Sequence, residues 1–202
     1  MFDISAVDVS SVIGLTAMVL LTVNILLGLL VSTNYNPAKQ WPRQRLKWPL
    51  FKIHNRTGYA ALAVALLHPS ILLLSSTAKF GLGDVLLPLR SPGQRLHNCL
   101  GAVTLYGFIV VVVTSYFRPK LRHRPWKKLH YTAYGAAATM FIHGTLIDPD
   151  LKGRPPDFLD GEKVLVESCF CIVVAGILWR IRRGTEKQRY KNAQSRSSVQ
   201  RA

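Results

Sequence analysis

The sequence predicts an all-α membrane protein, a bundle of about five transmembrane helices. Of its 202 residues 49% are hydrophobic, and yet the formal net charge is +16. The charges fall in short loops between long apolar runs, a segregation that is typical of membrane proteins. Five runs approach the roughly 20 apolar residues with which a helix crosses a bilayer. They lie at 11–32, 53–75, 97–117, 130–147 and 163–181, and the fourth is the shortest.

The first run is expected to be a retained membrane helix and not a secretory signal. Its flank, MFDISAVD, is acidic rather than basic, and the run is longer than the apolar core of a signal peptide. Two of the five runs contain an isolated polar residue, Asn24 in the first and Glu167 in the fifth. Interhelical hydrogen bonding is the expected role of such residues.

The distribution of charge predicts the orientation. The loops 33–52 and 118–129 are basic without any acid, and the tail from Arg180 is also strongly basic. Short loops rich in Lys and Arg stay in the cytoplasm. The N-terminal residues and the loop 148–162 are acidic, so we expect the N-terminus outside and the C-terminus in the cytoplasm. An inner interfacial belt is predicted at the four tryptophans, Trp41, Trp48, Trp126 and Trp179.

The basic excess does not indicate a nucleic-acid partner. Cytoplasmic loops of membrane proteins are basic for topological reasons, and they also attract anionic lipid headgroups. Membrane lipid is therefore the expected partner of these residues. We divide the chain into a membrane domain, 1–182, and a basic polar cytoplasmic tail, 183–202, which we expect to be disordered.

Four of the six histidines form a pattern. His54 and His68 lie on the second run, and His130 and His143 lie on the fourth. Both runs are expected to lead from the inner to the outer side, and spacings of 14 and 13 residues correspond to about 21 and 20 Å along a helix. The histidines thus occupy two matched levels, each with two imidazoles. Because imidazole is a common axial ligand of haem iron, this layout predicts two bis-histidine haems stacked across the membrane.

The sequence leaves two points open, the geometry of the fourth helix and the partner of Arg56. The two histidines of the second helix lie about 40° apart around its axis, but those of the fourth lie about 140° apart. Either the fourth helix is locally irregular, or its two haems are approached from different flanks. Arg56 is expected to pair with a haem propionate or with a lipid phosphate. His97 and His123 have no partner at their own levels, so we interpret them as non-ligands.

The segments HNRTGYAALAVALLHP, 54–69, and TSYFRPKLRHRPWKKLHYTAY, 114–134, resemble signatures of a known family. This is the ferric reductase-like transmembrane domain, the haem core of NADPH oxidases, ferric reductases and the haem-binding membrane subunit of a bacterial periplasmic methionine sulfoxide reductase. The resemblance covers roughly residues 12–180. It implies that His54 and His130 ligate an inner haem b, and that His68 and His143 ligate an outer haem b.

The expected function is that of a diheme b-type cytochrome, which transfers electrons from a cytoplasmic-side donor to an external acceptor. Only about 20 residues follow the last run, too few for a flavin or nicotinamide domain. We therefore expect the membrane redox component of an oxidoreductase, multi-pass in a bacterial inner membrane. Its donor would be a separate protein or a quinol, with any flavin supplied by or shared with the partner. The alternatives are a haem-containing anchor subunit of a multi-component reductase, and a non-haem transporter of metal ions or protons.

Overall fold

The computed structural model describes residues 5–33, 49–75, 79–91, 93–148, 155 and 157–199, with side chains as far as residue 186. Within these residues the chain forms helices and no strand, which confirms the all-α prediction. The helices are α1 Ala6–Thr33, α2 Leu50–Leu72, α3 Leu82–Leu86, α4 Arg95–Tyr116, α5 His123–Leu146 and α6 Gly161–Val199. A short 3₁₀ helix, Pro88–Arg90, lies between α3 and α4.

Each of the five predicted runs corresponds to one long helix. Three of them, α1, α4 and α6 as far as Glu186, are long and apolar enough to cross a membrane. The two histidine helices, α2 and α5, fall short of that composition because basic residues and histidines occupy their first turns. Five long helices are thus present in the described chain, and their composition supports a membrane crossing for three.

The contacts between helices fix their relative directions. Ser10 bonds to His68 and Asn24 to His54, so α1 and α2 are antiparallel. Other pairs of contacts show that α4 and α5 are antiparallel, and that α1 and α6 run the same way. His54 lies beside His130 early in α2 and α5, and His68 and His143 line one cavity near the ends of the same helices, so α2 and α5 are parallel, as the sequence predicted.

The core of the bundle lies between α1, α5 and α6, where Met18, Phe141 and Val166 are buried. Large apolar side chains also cover the outside of the bundle. Examples are Val12, Val103 and Leu178, which are at least half exposed. An apolar surface of this extent indicates a membrane environment, since soluble proteins rarely expose large contiguous apolar patches.

Helix α6 is described as far as Val199. The division into a membrane domain, 1–182, and a disordered tail, 183–202, stays a prediction. The connection between α2 and α4 contains α3 and the 3₁₀ helix, which the sequence analysis missed because both are much shorter than the window of about 11–18 residues over which hydrophobic periodicity is read. Trp41 and Trp48 of the predicted tryptophan belt lie outside the described residues.

Candidate cofactor site

His54 and His130 come together at one end of the bundle. Their ring centroids lie 6.2 Å apart, and their planes are inclined by 77°. Two imidazoles on opposite sides of one metal ion, each bound at about 2 Å, have ring centres about 6 Å apart. The two rings therefore stand at the separation that a shared iron would impose.

His68 and His143 line a common cavity at the other end. The cavity contains about 1330 Å³ of empty space, counting its open mouth. Small residues form much of the wall beside the two histidines, among them Gly14, Ala65 and Gly101. Because these residues project so little, the wall accommodates the two imidazoles and leaves the cavity open beside them.

Backbone carbonyls of α1 hold the two rings of α2. His54 Nδ1 donates to the carbonyl oxygen of Asn24 at 3.1 Å, and His68 Nδ1 donates to the carbonyl oxygen of Ser10 at 2.7 Å. The acceptors are 14 residues apart on α1, the same spacing as the histidines on the antiparallel helix α2. The side chains of the two acceptor residues also bond to α2. Asn24 Nδ2 donates to the backbone carbonyl oxygen of His54, and Ser10 Oγ donates to that of His68.

A glycine lies one turn beyond each of these acceptors, against the same ring. A Cβ atom at Gly14 would lie 2.8 Å from His68 Nδ1, and one at Gly28 would lie 3.1 Å from His54 Cε1. Any side chain at Gly14 would have to displace the imidazole. The same pair of features, a carbonyl acceptor followed after one turn by a glycine, thus occurs twice on α1.

Helix α4 contacts both imidazole rings of α5. It meets His143 with a backbone carbonyl and a glycine, as α1 meets the rings of α2, and it meets His130 with a serine side chain. His143 Nδ1 donates to the carbonyl oxygen of His97 at 2.7 Å, and a Cβ atom at Gly101 would lie 2.9 Å from His143 Cε1. Fourteen residues beyond this glycine the chain has Ser115. Its Oγ lies 3.2 Å from His130 Nδ1, within hydrogen-bond distance.

All four rings therefore have the Nδ1 atom engaged by a neighbouring helix, which leaves the Nε2 atom available as a ligand. Histidines that bind a metal almost always bond through the other ring nitrogen to a carbonyl, a carboxylate or water, which fixes the tautomer and the ring orientation. Within the described chain no three His, Cys, Asp or Glu side chains cluster as a metal site. The histidines come in pairs, and two is the number of axial positions on a haem iron. The residues present fit this cofactor.

A pair of hydrogen bonds anchors the His97 end of α4 to the end of α5. Gln94 Nε2 donates to the carbonyl oxygen of Asp148 at 2.9 Å, and its Oε1 accepts from the backbone N–H of Asp148 at 2.8 Å. Gln94 Oε1 also lies 3.3 Å from His97 Nδ1. These contacts stabilise the carbonyl that His143 uses.

An aromatic stack adjoins the His54 and His130 pair. The indole of Trp126 stacks on His130, with ring centroids 5.1 Å apart and an interplanar angle of 25°. The guanidinium carbon of Arg118 lies 4.6 Å from the centroid of the indole and 5.3 Å from that of Phe51. The sequence analysis placed Trp126 in the interfacial belt and Arg118 in the basic loop, and it missed their contact with the histidine site.

Arg56 is exposed, and it follows His54 by two residues, which places it about 200° around α2. Its position favours the lipid alternative over a group held at His54. His123 is exposed, and its ring lies 5.9 Å from Trp126. His97 contributes its backbone carbonyl and Nδ1 to the contacts given above, so its role here is in the support of His143.

The structure bears on the angle of about 140° between His130 and His143 around the axis of their helix. Helix α5 is an uninterrupted α-helix from His123 to Leu146, so the expected local irregularity is absent there. His130 meets the stack of Trp126 and the edge of His54, whereas His143 faces Gly101 and the cavity. The second alternative, approach from different flanks, is the one that agrees with these contacts.

The two ends of the bundle carry opposite charge. Basic residues surround the His54 and His130 end, where the described ones include Lys52, Arg118, Lys120, Arg122, Arg124, Lys127, Lys128 and Arg180. The carboxylates of Asp84, Asp148 and Glu162 lie around the cavity at the other end, together with the buried Lys163. We call these the basic end and the acidic end.

The fold, the apolar exterior and the three spanning helices define an integral membrane protein with a helical bundle. Residues 13–141 match the family described as the ferric reductase like transmembrane component. The chain belongs to this family, and it is therefore a membrane protein of a redox family. Searches of curated proteins and of solved structures gave no match.

Proposed function

We propose that the protein is a diheme b-type cytochrome that transfers electrons across the membrane. The observation that carries the proposal is the pairing of four histidines at two levels, His54 with His130 and His68 with His143. Each imidazole has its Nδ1 atom bonded to a neighbouring helix and its Nε2 atom available. Membership in the ferric reductase-like family supports haem as the cofactor.

The residues of the chain would hold an inner haem iron at His54 and His130 and an outer one at His68 and His143. When bound, the haems supply reversible one-electron oxidation and reduction of iron. The carbonyls of Ser10, Asn24 and His97 accept the Nδ1 protons, which makes each ligand more basic and fixes its orientation. The close packing of the glycines against the rings limits their reorientation when the charge on the site changes.

The charge of the two ends supports a direction for the transfer. Basic segments of membrane proteins remain in the cytoplasm, so the basic end would face inward, with the N-terminus of the chain outside and its C-terminus inside. An electron donor would then act at the His54 and His130 level, as a separate protein or a quinol, with a flavin supplied by or shared with that partner. The external acceptor would act near the acidic end. We place the protein in a bacterial inner membrane, where it contacts lipid.

The test is electron transfer through a sealed bilayer. The purified protein is loaded with haem and reconstituted in liposomes, with dithionite trapped inside and ferricyanide outside. We expect ferricyanide to be reduced only in vesicles that contain the protein, and His68→Ala to abolish the transfer while the inner pair keeps its haem. Intact haems without transfer would instead support a membrane anchor subunit, and protein that binds no haem would contradict both.

A further inference from the structure

One buried polar atom beside the inner histidine pair has no partner. The indole Nε1 of Trp126 is inaccessible to solvent and has no hydrogen-bond acceptor among the described residues. Only Thr22 Oγ1, on α1, shares this property in the described part of the chain. Buried donors without an acceptor are rare in native proteins, because such a group loses its bonds to water without replacement. The atom therefore indicates an acceptor that the polypeptide does not supply.

The stack holds the indole in place, so that its N–H cannot easily turn towards solvent. One face of Trp126 lies on His130, at an angle of 25° between the rings, and the guanidinium of Arg118 lies 4.6 Å from the ring centroid. A tryptophan N–H is a donor only. The missing group must therefore present an acceptor atom near the His130 imidazole and near a cation.

The indole N–H of Trp126 and the guanidinium of Arg118 together favour an anionic acceptor. A carboxylate accepts a charge-assisted hydrogen bond from the indole and is also attracted by the guanidinium. Haem b carries two propionate carboxylates, and the function proposed above puts one haem between His54 and His130. Arg56, the other cation that the sequence suggested for this role, lies about 200° around α2 from His54.

We propose that Trp126 and Arg118 form the propionate site of the inner haem, in which Trp126 Nε1 donates a hydrogen bond to the carboxylate and Arg118 provides the countercharge. This inference rests on the proposed function, because it needs a haem at His54 and His130. It assigns Trp126 a second role besides its stacking on the ligand. A lipid phosphate would satisfy the same donor, and the experiment distinguishes the two sources.

The experiment measures the rate at which each haem leaves the full-length protein in detergent, with apomyoglobin as the scavenger. Trp126→Phe keeps an aromatic ring on His130 and removes the N–H. We expect two haems per chain, with the inner one lost about tenfold faster than in the wild type, as expected for one charged hydrogen bond. The resonance Raman band of propionate bending should shift as well. Trp179→Phe is the matched control, because Trp179 has a cation–π contact with Arg183 at 5.2 Å on α6, and we expect the wild-type rate from it.

A second arm of the experiment changes the haem instead of the donor. Wild-type apoprotein is reconstituted with haem dimethyl ester, in which both carboxylates are esterified. We expect the inner ester to leave faster than haem b, and Trp126→Phe to add little to its rate, because the variant and the ester remove the same interaction. Equal rates for haem b in the wild type and in Trp126→Phe, with an unshifted propionate band, would overturn the inference in favour of a lipid phosphate. A wild-type chain that binds no inner haem would instead contradict the proposed function itself.

Discussion

The imidazoles of His54 and His130 lie 6.2 Å apart between centroids, although 75 residues separate them in the chain. His54 is the fifth residue of α2 and His130 the eighth residue of α5, and these helices pack mainly on other neighbours, α2 on α1 and α5 on α4. The ring separation agrees with two ligands on one iron, each about 2 Å from it.

The first prediction concerns the division of the histidines into two pairs. His54→Ala should lose the inner haem and keep the outer one, and His68→Ala should do the reverse, because each pair serves one level. The pyridine haemochrome assay should give about half the wild-type haem per chain for both, as a loss of one of the two proposed sites requires. The exposed His123 serves as the control, and His123→Ala should keep full haem content. Complete haem loss in every variant would contradict two independent levels.

The second prediction concerns the glycine against His68. In Gly14→Ala the new methyl group would lie 2.8 Å from His68 Nδ1, so the ring must shift away from its bonding position. We expect roughly 10- to 100-fold weaker retention of the outer haem, the usual effect of disturbing a metal ligand's support. Retention is measured spectrophotometrically after haem titration of the apoprotein.

Gly135→Ala is the matched control for this variant. Gly135 lies within α5, and a Cβ atom there meets nothing within 4 Å. Alanine should therefore preserve both haems and stabilise the helix by about 0.5–1 kcal/mol. If Gly14→Ala bound the outer haem as tightly as Gly135→Ala does, the close contact would have no role in holding His68.

The third prediction separates the stability of the bundle from the orientation of the ligand. Asn24→Ala removes two hydrogen bonds to α2, which Nδ2 donates to the carbonyl oxygen of His54 and to Thr57 Oγ1. It leaves the backbone carbonyl that holds His54 Nδ1. We expect a loss of about 0.6–1.7 kcal/mol in the free energy of unfolding, the range of such bonds in membranes, with both haems retained.

Thermal unfolding in detergent, followed by circular dichroism, measures this loss. Thr16→Ala is the control, since Thr16 Oγ1 donates only within its own helix, to the carbonyl oxygen of Val12. It should unfold close to the wild type. An Asn24→Ala protein that keeps its stability but loses the inner haem would show that the side chain, and not the carbonyl, positions His54.

The fourth prediction uses Ser115, which takes the place of a carbonyl acceptor at His130. Its Oγ lies 3.2 Å from His130 Nδ1. The hydrogen bond that His130 Nδ1–H donates to Ser115 Oγ makes the imidazole a more basic ligand, which favours ferric iron. Ser115→Ala should therefore raise the reduction potential of the inner haem. We expect the ratio of reduced to oxidised inner haem in Ser115→Ala to rise by a few-fold to tenfold, which corresponds to a reduction potential higher by an amount on the order of tens of millivolts.

Spectroelectrochemical titration resolves this shift from the outer potential, which should not move. The neighbouring Thr114→Ala provides the control, because Thr114 Oγ1 bonds to carbonyl oxygens within α4. An inner potential that stays constant or falls in Ser115→Ala would contradict the assigned direction of this hydrogen bond.

The five apolar runs predicted the helical bundle and the parallel course of the two histidine helices, and the spacing of the histidines predicted the two levels. These features follow from hydrophobic length and from the rise per residue, which depend on few other interactions. The interhelical role of Asn24 was also predicted and is confirmed, because an isolated amide in an apolar run has few other partners.

The support of the rings could not be predicted. Three of the four Nδ1 acceptors are backbone carbonyls, which every residue carries, so Ser10 and His97 show no distinguishing signal for this role. Gly14 and Gly28 were visible only afterwards as a 14-residue repeat that matches the histidines. Trp126 and His130 are four residues apart on α5, so the helical period accounts for their contact. The approach of Arg118 to Trp126 depends on the packing of the 117–122 turn, which the helical period does not describe.

We infer that one chain holds two haems, each between one histidine of α2 and one of α5. The most direct measurement is the haem-to-protein ratio of the purified full-length chain, combined with low-temperature electron paramagnetic resonance of the oxidised form. We expect two haems per chain, both low-spin with two axial imidazoles. One haem per chain, or a signal from high-spin iron with an open axial position, would contradict it.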